Sequence, residues 1–246
     1  MLQSTVPEQA ETKAAAGCAE PEQKSPALFP ICLKLAGRPC LVVGAGSVGT
    51  PKIEGLVAAS ADVTVVAPHA TDIVRAWAGD EKLLWHPRGF EPCDLEGAFL
   101  VVVATSSPEL NDLVFREARR RGVLANVVDD PPRCDFYYPA VVRRGAFQIA
   151  ISTDGKSPAL AQRLRRQFER EFGPIYEDWV EELGRERQRL FAQPMNPDER
   201  KQLLHSLASQ ASFEAYVGGR DGDGKDELPG RKSNERQGLS RRRRTR

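Results

Sequence analysis

Residues 39–49 read PCLVVGAGSVG, and this stretch decides the fold of the chain. A short apolar run leads directly into Gly44, Gly46 and Gly49, the spacing of a dinucleotide-binding turn. In that motif the first glycine permits a tight turn, the second lets backbone N–H groups approach a pyrophosphate, and the third lets the next helix pack close to its strand. By itself the motif is not specific, because glycine-rich turns after strands are common.

The residues that follow alternate between helical and strand patterns, which is typical of a parallel sheet. The patterns predict helices over 51–59, 71–79 and 108–121, and strands over 62–68, 82–86, 99–105 and 124–129. The continuous apolar run FLVVVAT at 99–105 is typical of a strand buried on both faces. We therefore expect an α/β fold with a Rossmann-like, doubly wound parallel sheet.

The sequence after residue 139 predicts a small β region followed by helices. Residues 140–153 predict a hairpin whose bend contains Arg143, Arg144 and Gly145. Two isolated strands are marginal, so we expect this hairpin to pair with another chain. Ser157 and Pro158 supply a hydroxyl cap and a first-turn proline for a basic helix. Two further helices, predicted over 175–192 and 197–216, complete a helical subdomain.

These patterns divide the chain into five parts. We expect a disordered leader at 1–27, a Rossmann domain at 28–139, a dimerisation hairpin at 140–157, a helical subdomain at 158–217 and a disordered basic tail at 218–246. The leader is rich in Ala, Glu, Gln and Pro, and the tail ends in RRRRTR. Neither composition buries enough apolar surface to offset the entropy lost on ordering.

Composition excludes several classes of protein. The formal net charge is +1, so no overall charge favours nucleic acid or a membrane surface. No run of about 18 apolar residues is present, and the first residues lack the apolar region of a signal peptide. The five cysteines are odd in number and show no CxxC spacing, which argues against a disulfide framework or a zinc site. We expect a cytoplasmic protein without a membrane or nucleic-acid partner.

The end of the second strand lacks the acidic residue that usually binds the ribose of NAD. Ala67, Pro68 and His69 occupy that position. Either the glycine motif binds no dinucleotide, or the ribose is held through backbone groups; no arginine follows closely enough to favour NADP. His69 fits a contact with the cofactor or a solvated loop position. Thr105 marks a second polar position, at the end of the strand predicted over 99–105.

Asp129 is the best candidate for acid or base chemistry. It follows a β-branched run, so it should project from the carboxyl end of a parallel strand, where ligands bind in open α/β sheets. The alternative is that Asp129 and Asp130 only start the turn before two prolines, and Asp130 fits that role better. The segment STDGKSP at 152–158 offers hydroxyls, backbone N–H groups and Lys156 to an anion, or is an ordinary capped turn.

Taken together, these motifs resemble the precorrin-2 dehydrogenase family, the N-terminal portion of siroheme synthase. The resemblance covers residues 29–182 and rests on GAGSVG with Lys52, VTVVAP at 63–68, NVVDDP at 126–131, CDFYYPA at 134–140 and ISTDGKSPALAQRLR at 151–165. It implies NAD-dependent oxidation of precorrin-2 to sirohydrochlorin. It also implies, as in many members, insertion of ferrous iron to give siroheme, and a homodimer joined through 140–153.

The resemblance also implies roles for individual residues. Asp129 would accept a proton during dehydrogenation and would assist metal delivery as a transient ligand. The resemblance places NAD against Ser47, Val48, Pro68 and His69. The glycine motif adds Gly44, Gly46 and Gly49 to the expected NAD contacts, and the polar strand end adds Thr105. The expected substrate contacts are Asn126, Thr153, Lys156 and Ser157.

Several positions depart from the family pattern. Gly49 stands where relatives usually have Ala, which we expect to be harmless, and Pro51 stands where many have Arg. Asp154 replaces a usual glycine and adds negative charge beside the expected anion site, whereas Thr153 keeps a hydroxyl. These departures bear more on iron insertion than on dehydrogenation.

Two other functions fit parts of the sequence. One is a non-catalytic NAD-binding redox regulator whose basic tail touches nucleic acid, although this explains neither NVVD nor GKSP. The other is a structural dimer with a decayed site, which would have no affinity for NAD.

Overall fold

The computed structural model of the protein describes residues 27–221. Residues 27–32 belong to a separate unit and carry no helix or strand, and residues 33–221 belong to one compact unit. The predicted leader, apart from residue 27, and the basic tail beyond 221 lie outside the described residues. None of the helices in the described part is long and apolar enough to span a bilayer.

The first half of this unit is a parallel sheet with helices between its strands. The elements are β1 (Pro39–Ala45), α1 (Thr50–Ala58), β2 (Asp62–Ala70), α2 (Asp72–Gly79), β3 (Leu84–His86), β4 (Leu100–Val103), α3 (Pro108–Arg121) and β5 (Leu124–Val127). The strand order is β3-β2-β1-β4-β5, and every pair is parallel. This order reverses direction between β1 and β4, which confirms the predicted doubly wound sheet.

Alternate residues of the central strands pack on opposite faces of the sheet. Val42 lies on the face that α1 and α2 cover through Ile53 and Val74. Val43 lies on the other face, against Val114 of α3. Because both faces are buried, the strands are apolar throughout, which explains the continuous runs in the sequence.

Several strand bounds differ from the predicted ones: β3 begins at Leu84 and not at residue 82, and β4 spans Leu100–Val103 and not 99–105. β2 runs to Ala70 and not to residue 68, because a bulge opposite Gly44 lets Ala70 pair again with Ala45. Pro68 and His69 are exposed at this bulge. β5 ends at Val127, so the predicted strand over 124–129 is two residues too long and Asp129 lies in a turn.

The second half begins with an antiparallel hairpin of β6 (Ala140–Arg144) and β7 (Phe147–Ile151). Gly145 lies at the bend as predicted, but Arg143 and Arg144 do not, because they lie in β6 and pair with β7. Arg144 donates from Nε to the carbonyl of Phe172 and from Nη2 to that of Glu169, both at 3.0 Å. The Arg144 guanidinium thus binds the carbonyls at the end of the following helix, which would otherwise lack a partner. This contact explains why an arginine stands at the end of the strand.

Four helices follow, α4 (Pro158–Glu171), α5 (Ile175–Phe191), α6 (Pro197–Leu207) and α7 (Gln210–Asp221). Ser157 caps α4 by accepting from the backbone N–H of Leu160, as predicted. The single helix predicted over 197–216 was wrong, because Ser209 interrupts it and accepts from the backbone N–H of Ser212. Ring contacts that hold the hairpin and helices together join Phe147, Phe168, Phe172, Tyr176, Trp179, Phe213 and Tyr216.

Candidate active site

The glycine turn between β1 and α1 has the geometry of a dinucleotide cradle. Gly44 adopts a φ of +102°, and a Cβ there would lie 2.3 Å from the carbonyl oxygen of Ala104. A Cβ on Gly49 would lie 2.3 Å from the carbonyl oxygen of Gly44. A Cβ on Gly46 would meet nothing within 4 Å. Gly44 and Gly49 therefore let β1, β4 and α1 approach one another, whereas Gly46 faces open space.

The same turn leaves donors for an anion. Gly46, Ser47 and Val48 are exposed, and within residues 27–221 the backbone N–H groups of Ser47 and Val48 donate to no protein acceptor. Thr50 fixes the turn from the other side, because its hydroxyl donates to the carbonyl of Gly46 at 2.9 Å. Free N–H groups at a helix N-terminus, with room above Gly46, fit the pyrophosphate of NAD.

The other predicted cofactor residues lie at the carboxyl ends of β2 and β4. Pro68 and His69 are exposed at the β2 bulge, and no carboxylate occupies residues 67–70. The hydroxyl of Thr105 donates to Oδ1 of Asn111 at 2.6 Å and accepts from the backbone N–H of Ser107 at 3.2 Å. This side chain is thus engaged in closing the start of α3, and the methyl group of Thr105 lies beside Gly44.

Asp129 lies in the turn after β5 and has a left-handed backbone with a φ of 62°. Its carboxylate is exposed and, in the described part of the chain, takes part in no hydrogen bond or ion pair. The neighbouring carboxylate of Asp130 is bound by Arg133 at 2.5 Å, and Arg133 also contacts Asp112 of α3 at 3.0 Å. The structure therefore gives two adjacent acids different tasks: Asp130 anchors the turn, and Asp129 is available to a ligand.

Asn126, expected to contact the substrate, is buried in β5. Its Nδ2 donates to the carbonyl of Phe136 at 2.7 Å and lies 3.4 Å from Sγ of Cys134. Burial raises the pKa of the Cys134 thiol, which donates to the carbonyl of Val127. These bonds hold the segment after the turn against β5, so the geometry favours a positioning role for this amide.

Lys52 and Tyr138 join the site although neither was among the predicted site residues. Nζ of Lys52 lies 4.0 Å from the centroid of the Tyr138 ring. Burial lowers the pKa of Lys52, whereas the negative charge of Asp129 acts in the opposite direction. Tyr138 leaves 39% of its surface exposed, yet burial of its hydroxyl raises the pKa of that group. The only signal in the sequence was that both residues lie inside the quoted motifs.

The turn at 152–158 is a tightly bonded cap. Thr153 accepts from the backbone N–H of Ser157 at 3.1 Å and, through its carbonyl, from that of Lys156 at 3.0 Å. Asp154 and Gly155 both have positive φ, 55° and 72°. Among the described residues, no hydrogen bond or ion pair connects this turn with Asp129. A single chain therefore does not bond these predicted substrate residues to the predicted catalytic one.

The described residues contain no cluster of three or more His, Cys, Asp or Glu side chains that could hold a metal ion. Cys32, Cys40, Cys93 and Cys134 are free thiols. Burial raises the pKa of Cys40 to about 11, with a smaller contribution from Asp62. The site thus offers a carboxylate, a cation and a dinucleotide cradle without a preformed metal centre.

Two protein-family profiles match the chain in succession. The first, described as putative NAD(P)-binding, covers residues 31–140. The second, described as the central region of a sirohaem biosynthesis protein, covers residues 144–171. The boundary between them falls near the start of the hairpin, where the parallel sheet ends.

Individual relatives agree with these profiles. Siroheme synthase of Neisseria meningitidis (serogroup B) is 41% identical over 157 residues, which are 64% of this chain and 32% of that protein. Siroheme synthase 1 of Serratia proteamaculans is 35% identical over 193 residues, or 78% of this chain and 38% of that protein. The chain thus spans about a third of the length of the curated relatives it matches.

The solved structure of SirC, a precorrin-2 dehydrogenase, matches over 79% of this chain and 96% of that chain. Its TM-score is 0.68 and its sequence identity is 26%. The match extends from the sheet across the hairpin and helices, because it covers more than the Rossmann portion alone. The chain therefore belongs to the siroheme synthase family, of which it matches the NAD(P)-binding and central portions.

Proposed function

We propose that the chain catalyses the NAD-dependent dehydrogenation of precorrin-2 to sirohydrochlorin. The observation that carries the proposal is the unengaged carboxylate of Asp129 at the same edge of the sheet as the Gly44–Gly49 turn. The likeness to SirC, a precorrin-2 dehydrogenase, supports the choice of substrate.

The geometry of the glycine turn indicates which residues bind the cofactor. NAD, when bound, takes the hydride that the substrate loses. The N–H groups of Ser47 and Val48 bind the pyrophosphate at the start of α1, with Gly46 leaving room for it. Pro68 and His69, at the end of β2, hold the adenosine half through packing and backbone groups, because no carboxylate stands there.

Asp129 is the proton acceptor in this proposal. Dehydrogenation removes a hydride and a proton from the tetrapyrrole, and the carboxylate takes the proton and releases it to water. Arg133 keeps the adjacent Asp130 occupied, so that a single acid faces the substrate. Asn126 holds the backbone beneath the turn.

The turn at 152–158 completes the substrate site in a homodimer. Thr153, Lys156 and Ser157 offer donors to the carboxylates of the tetrapyrrole. The hairpin is a two-stranded sheet in the described part of the chain, so each of its strands leaves one edge unpaired. Pairing of such edges between two copies supports the dimer. The free thiols support a reducing compartment such as the cytoplasm.

The substitution Asp129→Asn tests the role of Asp129. Asparagine tolerates the left-handed backbone as aspartate does, so the turn should persist while the base is lost. We expect turnover of precorrin-2 without oxygen to fall by about 10²-fold or more, with NAD affinity unchanged. The measurements are NADH absorbance and an NAD binding titration.

The matched control is Asp130→Asn, which changes the adjacent acid. The amide oxygen of asparagine can still accept a hydrogen bond from Arg133, so the turn should keep its shape and turnover should fall far less. Full activity of the Asp129→Asn variant would show that another group accepts the proton. Wild-type protein that binds NAD but never oxidises precorrin-2 would favour the redox regulator, and protein without NAD affinity would favour a decayed site.

Insertion of ferrous iron stays a separate prediction of the family resemblance. Iron would be a substrate here, and Asp129 is the group that would pass it to the macrocycle. Adding ferrous or cobalt ions to sirohydrochlorin with the protein, and following the absorption bands, tests this activity.

A further inference from the structure

Lys52 is a half-buried cation without an acidic partner at bonding distance. Its Nζ lies over the Tyr138 ring at 4.0 Å. Its ammonium forms no hydrogen bond or ion pair with any of the residues that the structure describes. Asp129 acts on it only through its charge, and burial lowers the pKa of Lys52 against that charge.

Lys52 has lost part of its water shell, and no acidic side chain among the described residues replaces it at bonding distance. Removing an ammonium from water disfavours its charged form, and an aromatic face returns only part of that loss. Charged side chains in such perturbed surroundings are concentrated at binding and catalytic sites, where a ligand supplies the opposite charge. The Tyr138 ring also fixes the position of the ammonium before any ligand arrives.

We propose that Lys52 is a substrate-binding residue whose ammonium pairs with a carboxylate of the tetrapyrrole. The inference rests on the proposed function. It assigns one carboxylate of the substrate to the ammonium of Lys52, and it thereby places the tetrapyrrole near Asp129, the proposed proton acceptor.

The position of Lys52 argues against the cofactor as its partner. Tyr138 and Asp129 follow β5, whereas Pro68 and His69 lie near the carboxyl end of β2, and these strands lie on opposite sides of β1 in the sheet. The adenosine half of a dinucleotide lies toward β2 in this fold. The side chain of Lys52 therefore extends toward the reacting half of the dinucleotide and away from the adenosine half. The N–H groups of the glycine turn bind the pyrophosphate.

Sirohydrochlorin binding by the full chain in the absence of NAD tests the inference. Lys52→Met keeps an apolar stem against Tyr138 and removes the charge. We expect it to raise the Kd for sirohydrochlorin about ten- to a hundredfold, the range for a lost hydrogen bond to a charged group. Lys52→Arg should stay within about tenfold of wild type, because a guanidinium also pairs with carboxylates. Neither variant should change the Kd for NAD.

Lys82→Met is the matched control, because Lys82 pairs with Asp80 at an exposed position beside β3 and should leave both affinities unchanged. Tight sirohydrochlorin binding by Lys52→Met would overturn this inference but leave the proposed function standing. So would weaker binding of NAD without a change for sirohydrochlorin, or loss of both ligands with a lower Tm in both Lys52 variants. Wild-type protein that binds NAD but no tetrapyrrole would overturn the proposed function, and this inference with it.

Discussion

Backbone conformation at single residues shapes the site as much as side-chain chemistry does. Gly44 has a φ of +102° and lies close to the carbonyl of Ala104, and Asp129 has a φ of 62°. The first permits two strands and a helix to meet, and the second turns a carboxylate out of β5. Gly49 was expected to be a harmless replacement for alanine. In this structure a Cβ on Gly49 would lie 2.3 Å from the carbonyl oxygen of Gly44, so alanine at this position would force that carbonyl to move.

Gly44→Ala and Gly46→Ala form a pair that separates folding from binding. Gly44→Ala should lower the free energy of unfolding by about 1–3 kcal/mol, because the positive φ and the contact with Ala104 both oppose a Cβ. Gly46→Ala should change stability by less than about 0.5 kcal/mol. It should weaken NAD binding about tenfold or more, because its methyl group enters the space kept for the pyrophosphate.

Denaturant unfolding and NAD titration measure the two effects. Equal destabilisation by both substitutions would contradict the assignment of open space to Gly46. Unchanged NAD affinity of Gly46→Ala would mean that the pyrophosphate lies elsewhere.

At the scale of elements, the turn after β5 is built by contacts from outside it. Arg133 connects Asp130 with Asp112 of α3, while Asn126 ties the following segment to β5. The backbone N–H of Ala125 adds a hydrogen bond to Asp135 at 2.9 Å. This network does not bond the Asp129 side chain itself. It holds the turn around Asp129 and so sets the direction of the Asp129 carboxylate.

Arg133→Met should therefore impair catalysis more than stability. The Arg133 side chain is 37% exposed and water screens its ion pairs, so its loss should change the Tm little. Without Arg133 the turn, and Asp129 with it, should shift by about 1 Å. Such a shift should lower kcat about ten- to a hundredfold, with NAD affinity unchanged. Arg120→Met, which removes an exposed pair with Glu117, is the control. Wild-type kcat in the Arg133 variant would show that the turn holds its shape unaided.

The order and type of most elements were predictable because each depends on local signals. Apolar runs located the five parallel strands, and Ser157 with Pro158 located the start of α4. Errors arose where tertiary contacts decide. Arg144 belongs to β6 because α4 offers it two carbonyls, and Ser209 ends a helical pattern that looked continuous.

At the scale of the whole molecule, the sheet and the hairpin contribute separate parts of the proposed site. Asp129 and the glycine turn lie at the edge of the sheet, whereas Thr153, Lys156 and Ser157 follow β7. No hydrogen bond between described residues unites the two parts within one chain. A homodimer would bring a second copy of each part, which is why the proposal includes one.

Light scattering on purified protein should therefore give twice the chain mass of 27.1 kDa. Ala150→Glu places a charge on an exposed position of β7 and should shift the mass toward the monomer. It should lower precorrin-2 oxidation along with dimer content, while NAD binding remains. Leu203→Glu, on the exposed face of α6, is the control. A monomeric wild type with full activity would refute the dimer.

The sequence by itself determined the parallel sheet and the glycine turn, and it singled out Asp129 as a candidate, because local patterns encode strands, turns and strand ends. It also distinguished Asp129 from Asp130, through the distance of each from the prolines. Only the tertiary structure decided that Lys52 meets Tyr138 within reach of the charge of Asp129, and that Asn126 and Thr105 are bonded within the protein. These contacts join residues far apart in the chain, and only the packing of α1, β4 and β5 brings them together.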